Sequence, residues 1–168
     1  MIVFIGAHGT GKSTLLEALK IARPDIYCSD GVGRPIKDAG KQLGLTQWDE
    51  QLIINTLQKH KWKTDVVQRN FACTRSIIDE WVYCTMFGMD DLAADRKDIF
   101  RDSDYSKAKF FYIPIEFPLE EDGTRYAGDK LQRQCDELMI DWIDEFTLPV
   151  TRLVGSVELR LQTLLNNI

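Results

Sequence analysis

Nine residues near the start constrain this chain more than any other stretch. Gly6-Ala7-His8-Gly9-Thr10-Gly11-Lys12-Ser13-Thr14 fits the pattern G-x-x-x-x-G-K-[ST], with Gly6, Gly11, Lys12 and Ser13 in the fixed places. The apolar run Ile2-Val3-Phe4-Ile5 precedes it, as expected of a strand buried on both faces of a parallel sheet. Leu15, Leu16, Ala18, Leu19 and Ala22 follow at helical spacing until Arg23-Pro24 stops the helix. Strand, glycine loop and helix in this order predict a phosphate-binding loop.

The residue types match that chemistry. Glycines let successive backbone N–H groups converge on a phosphate that side chains would keep away. The helix start near Gly11 adds unpaired N–H groups and the positive end of its dipole. Lys12 has the reach for the β- and γ-phosphates of ATP, and the Ser13 hydroxyl is the expected ligand of the accompanying Mg²⁺. Thr10 and Thr14 are expected to support the α-phosphate or the turn. His8 and Gly9 occupy variable positions; His8 reads as a solvated loop histidine, with phosphate contact as the alternative. A tight turn with no ligand would leave Lys12 unexplained.

Composition bounds the rest. A length of 168 residues fits one domain spanning 1–168, with 44% hydrophobic and 28% charged residues as in a soluble globular protein. A net charge of −5 argues against duplex nucleic acid as the main partner, while leaving room for a local basic patch. Cys28, Cys73, Cys84 and Cys135 are widely spaced with no C-x-x-C, which points to reduced core cysteines. With the first strand at residue 2 and no membrane-length apolar run, no leader peptide and a cytoplasmic location are expected. Nothing in the sequence speaks to oligomeric state.

Further along, Ile26-Tyr27-Cys28 predicts a short strand that delivers Asp30 and Arg34 to its carboxyl end, where α/β sheets hold ligands. Asp30 there would orient or deprotonate a hydroxyl, and Arg34 would meet an anionic substrate. The same residues also read as an Asp-Gly turn with a surface arginine. Asp30-Gly31-Val32-Gly33 fits D-x-x-G, but it comes too early for a GTP switch, and no N-K-x-D exists for guanine. Thr46 caps a predicted helix running to about Asn70, with Trp48, Leu52, Ile53, Leu57, Val66 and Val67 as its apolar residues. Its middle, Lys59-His60-Lys61-Trp62-Lys63 followed by Arg69, reads as a solvated charged face or a nucleic-acid contact.

Ser76-Ile77-Ile78-Asp79 predicts a strand whose terminal Asp79 would hold Mg²⁺ through water beside Ser13. Glu80 follows directly, and Trp81 would either line a substrate cleft or pack the core. Residues 90–104 read as a polar helix and loop, and Lys109 to Pro114 as the next strand. Residues 115–133 predict a long, lid-like loop with hinges at Gly123 and Gly128. Arg125, Lys130 and Arg133 are its candidates to close over a transferring phosphate. An amphipathic helix follows from Asp129, then strand Val150 to Val154, then a helix capped by Ser156, where an adenine would rest.

These pieces resemble the small P-loop kinases of the nucleoside and nucleotide kinase superfamily. More narrowly, they resemble the AAA-type domain group that includes ribosylnicotinamide kinase domains. The resemblance rests on Gly6–Thr14, Asp30 with Arg34, Ile77-Ile78-Asp79, Pro118 with Asp122-Gly123-Thr124-Arg125, and Gly155-Ser156-Val157-Glu158-Leu159-Arg160. It spans almost the whole chain, and departs from the group at Glu80, where arginine commonly follows the aspartate. It implies an α/β three-layer sandwich with about five parallel strands flanked by helices, Mg-ATP as donor and a small nucleoside-like acceptor.

The expected activity is therefore phosphoryl transfer from Mg-ATP to a hydroxyl or phosphate of a nucleoside or nucleotide. Lys12 and the loop would cradle the phosphates, Ser13 and Asp79 organise Mg²⁺, and Asp30 take or orient the acceptor proton. Arg34, Glu80 and Trp81 would bind the acceptor, while Arg125 and Arg133 closed over the γ-phosphoryl group. Two other readings stand beside it: a kinase for a hydroxymethylated base in DNA, supported by Lys59 to Lys63, and a non-kinase ATPase in which Glu80 polarises water. A nucleotide-binding protein without turnover would leave Asp30 and Asp79 idle.

Overall fold

The computed structural model describes residues 1–65, 67, 70–118 and 129–168. Strand β1 (Ile2–Ile5) is buried along its whole length, which is why all four of its residues are apolar. Its neighbours are β3 (Phe71–Cys73) on one side and β4 (Lys109–Tyr112) on the other. With β2 (Tyr27–Ser29) and β5 (Val150–Arg152) at the edges, the order is β2-β3-β1-β4-β5, and every pairing is parallel. The expected five-stranded parallel sheet is present.

Alternation along β1 divides the core between the two faces. Ile2 and Phe4 join Leu15, Leu16 and Leu19 of α1 (Lys12–Ala22) and Leu164 of α7 (Val157–Leu165). Burying each of those leucines is worth about 1.5–3 kcal/mol. Val3 and Ile5 face the opposite layer, containing Trp62 of α3 (Gln47–Asp65), Ile78 and Val82 of α4 (Ile77–Met86), Phe100 of α5 (Asp90–Arg101) and Trp142 of α6 (Asp129–Glu145). Helix, sheet, helix is the sandwich expected.

Three boundaries differ from expectation, and each has a local cause. The residues 76–79 are not a strand. The strand ends at Cys73, and Ser76 begins α4 through a capping box: its hydroxyl accepts from Ile78 N–H at 3.3 Å, while Asp79 Oδ2 accepts from Ser76 N–H at 3.0 Å. That cap overrides the strand preference of Ile77 and Ile78.

A helix, α2 (Gly33–Leu43), also occupies a stretch with no predicted element. Its Pro35 lies in the first turn, where the missing N–H costs nothing, and Gly44 closes it at φ 67°.

Helix α3 starts as expected, with Thr46 Oγ1 accepting from Asp49 N–H at 3.2 Å, but it ends at Asp65. It is also turned inside out. Gln51, Asn55, Gln58 and Trp62 face inward, while Trp48, Ile53 and Leu57 are exposed. Val66 and Arg69 lie outside the described residues, as do Arg125 and the glycines expected as hinges at 123 and 128.

The described cysteines are free thiols, with Cys73, Cys84 and Cys135 buried. Among the described residues no helix is long and apolar enough to cross a membrane.

Candidate functional site

Between β1 and α1 the chain turns through the glycine loop at the carboxyl edge of the sheet. Gly6 sits at φ 154°, and a Cβ there would lie 2.4 Å from the Ile113 carbonyl oxygen, so only glycine lets the loop press against the segment after β4. Thr10 Oγ1 donates to the Ala7 carbonyl at 2.9 Å and braces the turn. The buried Lys12 ammonium reaches back over the loop, donating to the Gly6 carbonyl and to the Ala7 carbonyl at 2.8 Å. It is thereby held across the mouth of the loop.

His8 corrects an expectation. Instead of being solvated it is 7% exposed, with Nδ1 3.4 Å from the Tyr83 hydroxyl of α4. Its carbonyl accepts from Gln132 Nε2 of α6 at 2.7 Å. Gln132 thus fastens the loop to the far helical layer, a role for which the sequence carried no signal.

The loop opens into a cavity of about 440 Å³, within the range of small-molecule sites. Its lining brings together His8, Gly9, Gly11, Lys12, Ser13 and Thr14 of the expected set with Asp30 and Arg34 from beyond β2. Asp30 Oδ1 lies 3.4 Å from Ser13 Oγ, accepts from Gly31 N–H at 2.8 Å, and also accepts from the Thr74 hydroxyl. Burial, the largest single influence, pushes the Asp30 carboxyl up. The hydrogen bonds from Thr74, Gly31 and Ser13, with Arg75 nearby, outweigh it and hold the group below the ordinary aspartate range. The exposed Arg34 rides on the first turn of α2.

Asp79 is elsewhere. Because α4 begins at Ile77, its carboxylate is buried in the first turn, with Oδ2 spent on the Ser76 cap and Oδ1 accepting from Arg75 Nη1 at 3.1 Å. The residue actually delivered by β3 to the cavity is Arg75, whose guanidinium lies 5.3 Å over the Tyr83 ring. Sequence reasoning missed Arg75 because it placed the strand end six residues late. The signal was present: a cation two residues after a buried Phe71-Ala72-Cys73 run and one before a capping serine.

Glu80 and Trp81 do not line this cavity. The buried Glu80 accepts from Arg96 Nε at 2.6 Å, and burial pushes its carboxyl above the ordinary range against the pull of that arginine. Trp81 packs in the core with its ring 4.9 Å from Trp142. Arg133 and Lys130 stand exposed on α6, outside the lining. Ser156 is the N-cap of α7, accepting from Leu159 N–H at 3.4 Å. Arg125 lies outside the described residues.

A second, smaller cavity of about 40 Å³ adjoins the first, and Gly33, Lys37, Arg75 and Tyr83 line both. Its far wall carries Gln51, Asn55 and Gln58 of α3 together with Glu80. Gln51 Nε2 donates to Asn55 Oδ1 at 2.7 Å, and Gln58 Oε1 accepts from Val32 N–H at 3.1 Å. The inverted helix therefore presents a row of fixed amides next to the larger cavity.

The basic stretch on α3 is not an open strip. Lys59 pairs with Asp95 and Lys61 with Asp65, each at 2.7 Å, while Trp62 is buried between Phe71 and Tyr105.

Comparison with known proteins agrees with this geometry. The sequence of residues 1–160 matches the model of a family described as AAA domain. No curated protein sequence matches. Among solved structures, deoxyadenosine kinase from M. mycoides, with products dCMP and dCDP bound, superposes with a TM-score of 0.71 at 12% identity, covering 99% of this chain and 97% of that one. NadR protein in complex with NR gives 0.68 at 17% identity over 92% of this chain, which spans 45% of that protein. Thymidylate kinase from Ehrlichia chaffeensis gives 0.62 at 14% identity, covering 99% and 96%. The chain belongs to the AAA domain family and has the fold of the small P-loop nucleoside and nucleotide kinases.

Proposed function

We propose that this protein transfers the γ-phosphoryl group of ATP to a hydroxyl of a nucleoside- or nucleotide-type acceptor. The observation that carries this reading is the union of two compartments. A phosphate loop with Lys12, Ser13 and Asp30 opens directly onto a pocket walled by the amides of α3. The larger cavity has room for an acceptor beside the donor phosphates, and the small recess walled by amides would meet a polar edge of it.

The donor phosphates lie in the loop, with Lys12 released from its carbonyl partners to meet the β- and γ-phosphates. Ser13 offers the hydroxyl oxygen that Mg²⁺ would take beside the phosphates, while both oxygens of Asp79 are already engaged by Arg75 and Ser76. Bound there, Mg²⁺ would neutralise phosphate charge. The acceptor oxygen attacks the γ-phosphorus, the bond to the ADP oxygen breaks, and the hydroxyl proton passes to Asp30. Being held in its ionised form, Asp30 orients the hydroxyl early and takes the proton late, which suits a loose transition state. Arg75, fixed by Asp79 and Tyr83, faces the transferring group from β3, and Arg34 meets any anionic part of the acceptor. Adenine at the 155–157 turn completes the donor site.

Glu80 belongs to the second compartment and is bound to Arg96, so it offers the water-activating ATPase reading no support. Nor does the paired α3 cluster favour DNA. The test is ADP release from Mg-ATP, alone and with nucleosides, nucleoside monophosphates, nicotinamide riboside and DNA bearing hydroxymethylated pyrimidines. Strong stimulation by a small acceptor is expected; release indifferent to every acceptor overturns the proposal.

A further inference from the structure

Behind the phosphate loop, on the side away from the cavity, lies a buried cation that the mechanism above does not use. Arg160 of α7 is 3% exposed. Its Nη1 donates to the Thr10 carbonyl at 2.7 Å, and its Nη2 donates to Glu116 Oε2 at 2.6 Å. Glu116 Oε2 also accepts from Gly155 N–H at 2.9 Å. One fork thus ties together the phosphate loop, the segment after β4 and the turn that starts α7.

The Thr10 carbonyl is not a neutral place to anchor. Thr10 C=O and Gly11 N–H belong to one trans peptide, so they point in opposite directions. Arg160 takes the carbonyl on the outside, which turns the Gly11 N–H away from Arg160, and Gly11 lines the cavity. A cation on a peptide oxygen polarises that peptide and strengthens its N–H as a donor, more so where water is excluded. The approach is close enough that a Cβ on Gly11, which sits at φ 91°, would lie 3.2 Å from Arg160 Nη1.

We infer that Arg160 is a positioning residue for the donor: it orients and polarises the Thr10–Gly11 peptide, so that the loop grips the β-phosphate from behind as Lys12 does from the front. This rests on the proposed use of the loop for ATP. Glu116 holds the guanidinium in register and offsets part of its charge.

The contribution should depend on the number of phosphates, which a purely structural tether would not show. Calorimetric titration of the full chain with ADP and with AMP, in Mg²⁺, separates the two. For R160M we expect ADP to bind about tenfold more weakly while AMP affinity is nearly unchanged. R160K, which keeps the charge but not the fork, should recover part of the difference and serves if R160M does not fold. Equal loss for AMP and ADP, or no loss in a folded R160M or R160K, overturns the inference. If the unmodified chain binds neither nucleotide, the donor reading itself fails instead.

Discussion

The proposed donor and acceptor sides of the cavity are built in different ways. The donor side is mostly backbone: glycines at Gly6, Gly9 and Gly11, carbonyls gripped by Lys12, Gln132 and Arg160, and a loop buried against Ile113. The acceptor side is mostly side chain, with Asp30 and Arg34 from beyond β2, Arg75 from beyond β3, and Gln51, Asn55 and Gln58 from α3. A backbone site recognises what all triphosphates share. A side-chain site can change its ligand by substitution without disturbing the grip, which is how one fold serves different acceptors.

That contrast can be broken from either side. The largest effect is expected at the grip. Lys12→Ala should lower transfer by about 10³-fold with every acceptor, because it removes a preorganised charge from the phosphates. A variant that kept full rate would remove the loop from the chemistry altogether.

Asp30→Asn should cost about 10²-fold in kcat with nucleotide affinity little changed, as befits a group acting on the acceptor proton. The acid side of the pH profile gives a second check. Asp30 is held below the ordinary range, so its ionised form persists to lower pH than in an unperturbed aspartate. The stability it contributes is present above its unfolded pKa and fades as pH falls through the lower, folded value. An acid limb at or above the ordinary aspartate range would contradict this.

Gln58→Leu should raise the acceptor KM about tenfold while leaving the KM for ATP alone, since it strands Val32 N–H and removes one amide from the wall. A change shared by both substrates would mean that the two sides are not separable. The smallest effect is expected at Lys59→Ala. It breaks a partly exposed pair with Asp95 worth about 0.2–1 kcal/mol, visible in thermal melting but absent from transfer kinetics.

The same contrast explains what could be read before the fold was known. The donor side is a contiguous motif whose glycines, lysine and serine state their geometry directly, and its strand and helix carry ordinary apolar periods. The short β2 and the placement of Asp30 beyond it were also legible, because a strand end in a parallel sheet is a definite place. Asp79 was misplaced because two isoleucines mimic a strand, while the Ser76 and Asp79 cap that overrules them is a four-residue signal. Arg75 was lost with that boundary. The wall of amides was illegible for another reason: Gln51, Asn55 and Gln58 look like any solvated helix face until tertiary packing turns that face inward. Arg160 stood in a recognisable segment, but its partners Thr10 and Glu116 are distant in sequence, so only the fold shows what it holds.

The most direct test of the two-compartment account is the destination of labelled γ-phosphate from Mg-ATP in the presence of the acceptor panel. The account predicts label covalently attached to a nucleoside or nucleotide, with little inorganic phosphate while that acceptor is present. Label appearing only as inorganic phosphate, whatever acceptor is supplied, would contradict it.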